Sequence, residues 1–73
     1  MNVELEDFKT GWYGIYIGIK HEEIDVLIER LRSLKRDKDQ HFHISSDYGG
    51  SGGVGDIEFS IQGDNEESNM IIT

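Results

Sequence analysis

The spacing of apolar residues changes twice along the chain, and this change limits the possible folds more than any other feature of the sequence. In residues 3–8 and 13–19, apolar side chains alternate with others, which is the period of a half-buried strand. Residues 21–36 follow the 3.6-residue period of a helix, and alternation returns at 41–45 and 56–62. The sequence therefore predicts two strands, a helix and two further strands.

The turn before the second strand and the charges along the helix support this order of elements. Residues 9–11 read as a turn, so the first two strands are expected to form a hairpin. Acidic residues occupy the first turns of the helix and Lys35 and Arg36 its last turn, which complements the helix dipole. The helix should present one apolar stripe, made of Ile24, Leu27, Ile28, Leu31 and Leu34.

The expected fold class is α+β, with residues 1–73 forming one small domain. One antiparallel sheet of four strands, in the order ββαββ, would have the amphipathic helix on one face. Residues 69–73 could add a fifth strand, which could also pair between subunits. The open face of this sheet would carry polar and aromatic side chains: Tyr16, His41, His43, Ser45, Glu58 and Ser60.

The net charge of −8 is unevenly distributed. Residues 30–38 hold five of the seven Lys and Arg side chains, most simply as the dipole-matched end of the helix. Most of the remaining surface is acidic and would repel phosphate backbones, so nucleic acid is not expected as a partner. An acidic surface favours encounter with a basic protein, although solubility alone would also explain it.

The composition also indicates the cellular setting. The chain has no cysteine, which excludes a disulfide scaffold and a thiolate metal site. No apolar run approaches the roughly 20 residues needed to span a bilayer, and no signal peptide is visible. We therefore expect a cytoplasmic protein without membrane association.

Residues 47–56 are the best candidate for a working surface. Five of the seven residues from Gly49 to Gly55 are glycine, and glycine lets a backbone or a ligand approach closely. The loop lacks the Lys-Ser/Thr of a phosphate-binding loop and joins strand to strand. Two interpretations stay open: a flexible hairpin connection, and a conformable contact loop anchored by Tyr48.

The strand before this loop carries His41 and His43 on one face, and both could bind Zn²⁺. Asp47 or Asp56 could add a carboxylate, but the spacing fixes neither. Because such a histidine pair arises readily in an exposed strand, no metal or other cofactor is assigned. No catalytic triad can be read around the nearby serines, so an enzyme is not expected.

Residues 41–55 resemble a family of small bacterial immunity proteins found beside polymorphic toxins, number thirty-two in that classification. The resemblance rests on the His-Phe-His-Ile strand from His41, on Tyr48-Gly49-Gly50 and on the strand that follows. The preceding helix, with Leu31 and Leu34, also fits in position and length. The resemblance implies a compact α+β domain that binds and neutralises a cognate toxin.

The residues and the resemblance together predict a non-enzymatic binding protein whose partner is a basic toxin domain. Its acidic surface would steer binding and cover the toxin's site. The alternative is a homodimeric structural or regulatory module that pairs through its sheet or its C-terminal strand. The candidate partner-binding residues are His41, His43, Asp47, Tyr48 and Asp56.

Overall fold

The computed structural model describes residues 1–73 and has an α+β fold. The four predicted strands form to within about two residues of their expected bounds, and the helix begins about three residues later than expected, after a 3-10 turn. In chain order the elements are β1 Asn2–Asp7, β2 Tyr13–Gly18, a single 3-10 turn His21–Glu23, α1 Ile24–Arg36, β3 His41–Ser45 and β4 Asp56–Ser60.

The predicted single sheet of four or five strands is wrong. β1 pairs with β2 and β3 pairs with β4, both antiparallel, and no strand ladder joins the two pairs. Residues 69–73 form no strand. Alternation determines which face of a strand is apolar, but it leaves open which edges meet, and each hairpin can pair across its own loop without the other.

The first hairpin, formed by β1 and β2, has an apolar face that lies largely open to solvent. Its register places Val3 opposite Ile17 and Leu5 opposite Ile15 on that face. Leu5 is 54% exposed and Ile15 60% exposed, whereas Val3 is half-buried. The turn after β1 contains Gly11 at a φ of 94°, a conformation that glycine adopts without steric cost.

The second hairpin, formed by β3 and β4, has one apolar and one polar face. Phe42 lies opposite Phe59, and their rings stack with centroids 4.8 Å apart. Ile44 lies opposite Ile57, and all four of these side chains are half-buried. Such aromatic pairs contribute about 0.5–1.5 kcal/mol beyond the burial of their area, so this face is the better packed of the two apolar faces.

Helix α1 provides the single buried side chain of the chain, Leu34, which is 5% exposed. Leu27 is half-buried, but Ile24, Ile28 and Leu31 remain exposed. The predicted helix is therefore confirmed, while its apolar stripe is buried at one position only. Close backbone approaches are concentrated within the two hairpins and where the 3-10 turn meets α1.

Residues 61–73 are exposed throughout and end in the apolar run Met70-Ile71-Ile72. The radius of gyration of the chain is 14.3 Å, whereas a compact domain of this length would have about 11 Å. The fold is thus more open than its length requires. No helix is both long enough and apolar enough to cross a membrane.

Candidate functional site

The polar face of the second hairpin brings together residues from both of its strands. Antiparallel pairing places His41 opposite Ser60, His43 opposite Glu58 and Ser45 opposite Asp56. Because side chains at alternate positions point to the same side of a strand, these six form one surface. Its histidines and carboxylates are all exposed.

Asp56 is held by hydrogen bonds from two neighbours on β3. Nδ1 of His43 donates to Oδ2 of Asp56 at 2.8 Å, and Oγ of Ser45 donates to Oδ1 at 2.8 Å. These two hydrogen bonds, first the one from His43 and then the one from Ser45, hold the pKa of the Asp56 carboxyl below its usual value. Asp56 is therefore a carboxylate near neutral pH, with both oxygens engaged.

His41, His43 and Glu58 form a compact group of three metal-ligating side chains, here called the histidine cluster. One nitrogen or oxygen from each lies within 4.8 Å of the others. Nε2 of His43 is 3.3 Å from Oε1 of Glu58, and the two histidine rings meet edge to face with centroids 5.2 Å apart. The arrangement could hold a divalent ion by two imidazoles and one carboxylate.

Asp47 and Tyr48 make their hydrogen bonds within the glycine loop. Oδ1 of Asp47 accepts the N–H of Gly49 at 2.9 Å, and the N–H of Tyr48 donates to Oγ of Ser46 at 2.9 Å. Tyr48 is 71% exposed, and its φ of 58° lies in the left-handed region. These bonds shape the start of the loop and present an aromatic side chain to solvent.

The ring of Tyr48 also lies across Gly55, at the other end of the loop. A Cβ added at Gly55 would lie 2.5 Å from a ring carbon of Tyr48, so only glycine allows this approach. The N–H of Ser46 donates to the carbonyl oxygen of Gly55 at 2.8 Å, which closes the base of the loop. Tyr48 therefore caps the loop and remains available for contact.

The structure places the five predicted site residues in two groups. His41, His43 and Asp56 lie together on the polar face, whereas Asp47 and Tyr48 belong to the loop. Tyr16, which was expected on the same open face, lies in the other sheet.

Three residues of the polar face were not among the predicted site residues, and two of them, Glu58 and Ser45, contact predicted ones. Glu58 supplies the carboxylate of the histidine cluster, in place of Asp47 or Asp56, and Ser45 supports Asp56. The alternation of β4 already placed Glu58 outward, but only the cross-strand register puts it opposite His43. That register depends on how the long loop closes, and the sequence does not specify it.

An open cleft of about 640 Å³ separates the two hairpins. Apolar side chains from both hairpins line it, including Val3, Ile19 and Ile57, together with the carboxylate residue Asp47. Two further lining residues, Met1 and Glu23, form an ion pair in which Oε1 of Glu23 lies 2.8 Å from the α-ammonium nitrogen of Met1. The lining of the cleft is thus a mixture of apolar and polar groups that includes two carboxylate residues.

No family model, curated protein or solved structure matches this chain.

Proposed function

We propose that this chain is a non-enzymatic binding protein that neutralises a basic bacterial toxin domain through its acidic surface and the 47–56 loop. The observation that carries the proposal is the surface that the folded chain leaves uncovered. Its accessible surface is 6905 Å², whereas a compact monomer of this mass would expose about 4,600 Å².

The difference of about 2,300 Å² is large on the scale of protein interfaces. Permanent complexes bury about 1,000–2,500 Å² on each partner. Much of the uncovered surface is apolar, including the open face of the first hairpin with Leu5, Tyr13 and Ile15. A second protein that covers this surface would complete the core that the chain lacks.

The charge of the chain indicates the chemistry of the partner. With a net charge of −8, the surface attracts a basic protein and accelerates its encounter. A toxin domain that acts on nucleic acid carries positive charge for its own substrate, so an acidic protein can occupy the same surface. The immunity role itself comes from the resemblance of residues 41–55, and the exposed Tyr48 supports it as an aromatic anchor.

The proposal is tested with the product of the neighbouring gene, purified with this chain and analysed by size-exclusion chromatography and calorimetry. A stoichiometric complex that forms without added metal, and that suppresses the toxicity of the partner in a bacterial growth assay, is the expected result. If no complex forms and growth is not restored, the immunity role is wrong.

Tyr48→Ala should weaken this complex by about tenfold or more, because truncation of a central aromatic anchor removes much of the binding energy. Tyr16→Ala is the matched control: Tyr16 is also an exposed tyrosine, and its ring also lies against a glycine, Gly18. Equal affinity of the Tyr48→Ala variant and the unmodified chain would remove Tyr48 from the binding surface.

A homodimer is the second candidate, and the open apolar face of the first hairpin favours it. Both strands of each hairpin are also edge strands, with backbone groups available for pairing with another chain. Sedimentation at micromolar concentration distinguishes the two candidates. A monomer that binds the toxin domain supports the first, and a dimer that Ile15→Lys dissociates supports the second.

A further inference from the structure

We propose that the histidine cluster on the second hairpin is a site for a divalent transition-metal ion of the Zn²⁺ type, with His41, His43 and Glu58 as ligands. Two of these side chains come from β3 and the third from the facing position of β4. The ion would therefore bridge the two strands. The proposal is independent of the protein partner proposed above.

The distances between the ligand atoms are close to those around a tetrahedral ion. Zn²⁺ binds imidazole nitrogen and carboxylate oxygen at about 2.0–2.2 Å, so two such ligands at the tetrahedral angle are about 3.4 Å apart. Nε2 of His43 and Oε1 of Glu58 are 3.3 Å apart. All separations in the cluster are within 4.8 Å, so the longest must shorten by at most about 1.4 Å, which exposed side chains on a strand achieve by rotation.

The hydrogen bond of His43 to Asp56 is a second observation, because it orients the ring with its other nitrogen toward Glu58. Because the ionised Asp56 can only accept, Nδ1 of His43 carries the hydrogen of their 2.8 Å bond. The other ring nitrogen, Nε2, faces Oε1 of Glu58 at 3.3 Å. A metal ion bound between Nε2 and Oε1 would therefore leave the hydrogen bond from Nδ1 to Asp56 in place.

Asp56 acts as a positioning residue for this site. Carboxylates that accept a hydrogen bond from the far nitrogen of a metal-binding histidine fix its tautomer and raise its basicity. Oδ2 of Asp56 does this for His43, and Ser45 holds the other oxygen in place. The same arrangement explains why Asp56 itself is not a ligand.

The donor set determines which ions fit. Imidazole nitrogen suits Zn²⁺, Co²⁺, Ni²⁺ and Cu²⁺, whereas Ca²⁺ and Mg²⁺ require oxygen ligands. Three protein ligands leave a fourth tetrahedral position, and all three of these side chains are exposed to solvent. That position is open to water or to a side chain of another protein.

The test is a titration of the metal-free, untagged full chain with ZnCl₂ by calorimetry, and with CoCl₂ by absorption in the visible range. We expect one ion per chain, four-coordinate Co²⁺ bands, and no heat with CaCl₂ or MgCl₂. His43→Ala should weaken Zn²⁺ binding by at least about tenfold, and His41→Ala and Glu58→Gln should each weaken it as well.

The third histidine of the chain, His21, gives the matched control, because it lies outside the cluster. His21→Ala should bind Zn²⁺ as the unmodified chain does. Asp56→Asn should lower the affinity by about 10- to 100-fold, as loss of an outer carboxylate does at other sites, while circular dichroism shows the fold unchanged.

Absence of Zn²⁺ binding at about 100 micromolar protein would overturn the proposal. Equal affinity of the His43→Ala and His21→Ala variants would also overturn it, since binding would then not involve the cluster. If His43→Ala is poorly folded, the Co²⁺ spectrum of Glu58→Gln decides: an unchanged spectrum contradicts the assigned ligands.

Discussion

At the scale of single residues, this protein relies on exposed hydrogen bonds made by carboxylates. Asp56 binds two side chains across β3 and β4, and Asp47 binds a backbone N–H in the loop. Glu23 likewise accepts hydrogen bonds, here from two separate parts of the chain. Its Oε1 lies 2.8 Å from the nitrogen of Met1 and accepts the backbone N–H of Lys20 at 3.0 Å.

The hydrogen bond from Met1, followed by the one from Lys20, lowers the pKa of Glu23 below its usual value. A lowered pKa in the folded state means that the interaction stabilises the fold above the unfolded pKa, about 4.3, and that this contribution disappears as the pH falls further. Glu23→Gln should therefore reduce the melting temperature at pH 7, and the difference from the unmodified chain should shrink as the pH falls below that unfolded value.

Thermal melts between pH 3 and pH 7 measure this effect. Glu22→Gln is the matched control, since Glu22 is an exposed neighbour without a hydrogen bond. A loss of stability in Glu23→Gln that does not shrink between pH 7 and pH 3 would show that the charge of Glu23 is not responsible.

At the scale of elements, the sequence was sufficient for each strand and helix and insufficient for their assembly. Alternation in residues 41–45 and 56–62 predicted two strands with polar and apolar faces, because this period depends only on neighbouring positions. Whether β2 would also pair with β3 or β4 depends on contacts between distant residues. No ladder forms between β2 and either of these strands, and the two hairpins remain separate sheets.

In the candidate site, too, the sequence predicted features within one strand but not those that depend on strand pairing. The sequence placed His41 and His43 on one face, since they are two residues apart in a strand. The sequence alone could not place Glu58 beside His43, because their pairing depends on the register across a loop of ten residues, 46–55. Asp56 was identified as a candidate, but its support of His43 became visible only in the folded hairpin.

A substitution at Leu34 tests whether this side chain anchors α1 to the rest of the fold. It is the one buried side chain of the chain, so Leu34→Ala should lower the free energy of unfolding by about 2–3 kcal/mol. In a small domain of marginal stability this loss could unfold most of the chain at 37 °C. Urea titration monitored by far-ultraviolet circular dichroism measures the change.

Val26→Ala is the control on the same helix, because Val26 is 59% exposed and should tolerate truncation with a change within about 0.5 kcal/mol. Equal losses in the two variants would mean that α1 is not anchored through Leu34.

At the scale of the whole molecule, the uncovered surface is the main property to explain. A chain of this size is expected to bury only roughly 60% of its unfolded surface even when compact. This one also leaves open the face of the first hairpin and all of residues 61–73. Stability that a monomer lacks can come from a partner, and a bound partner would raise the melting temperature with its concentration.

The separation of the two hairpins has a consequence for how the chain opens. Because no backbone hydrogen bond joins one sheet to the other, the amide protons of one hairpin can exchange with solvent while those of the other stay protected. Phe59→Ala, which removes the stacked ring over Phe42, should speed deuterium uptake in β3 and β4 and leave β1 and β2 unchanged.

Mass spectrometry of peptides from each hairpin measures this deuterium uptake. Equally faster uptake in both hairpins would mean that they open together. If the hairpins do exchange independently, the isolated chain has two cooperative units rather than one. A partner that contacts both hairpins would then make them open as a single cooperative unit. Binding would slow deuterium exchange in both hairpins, including at amides that the partner does not contact.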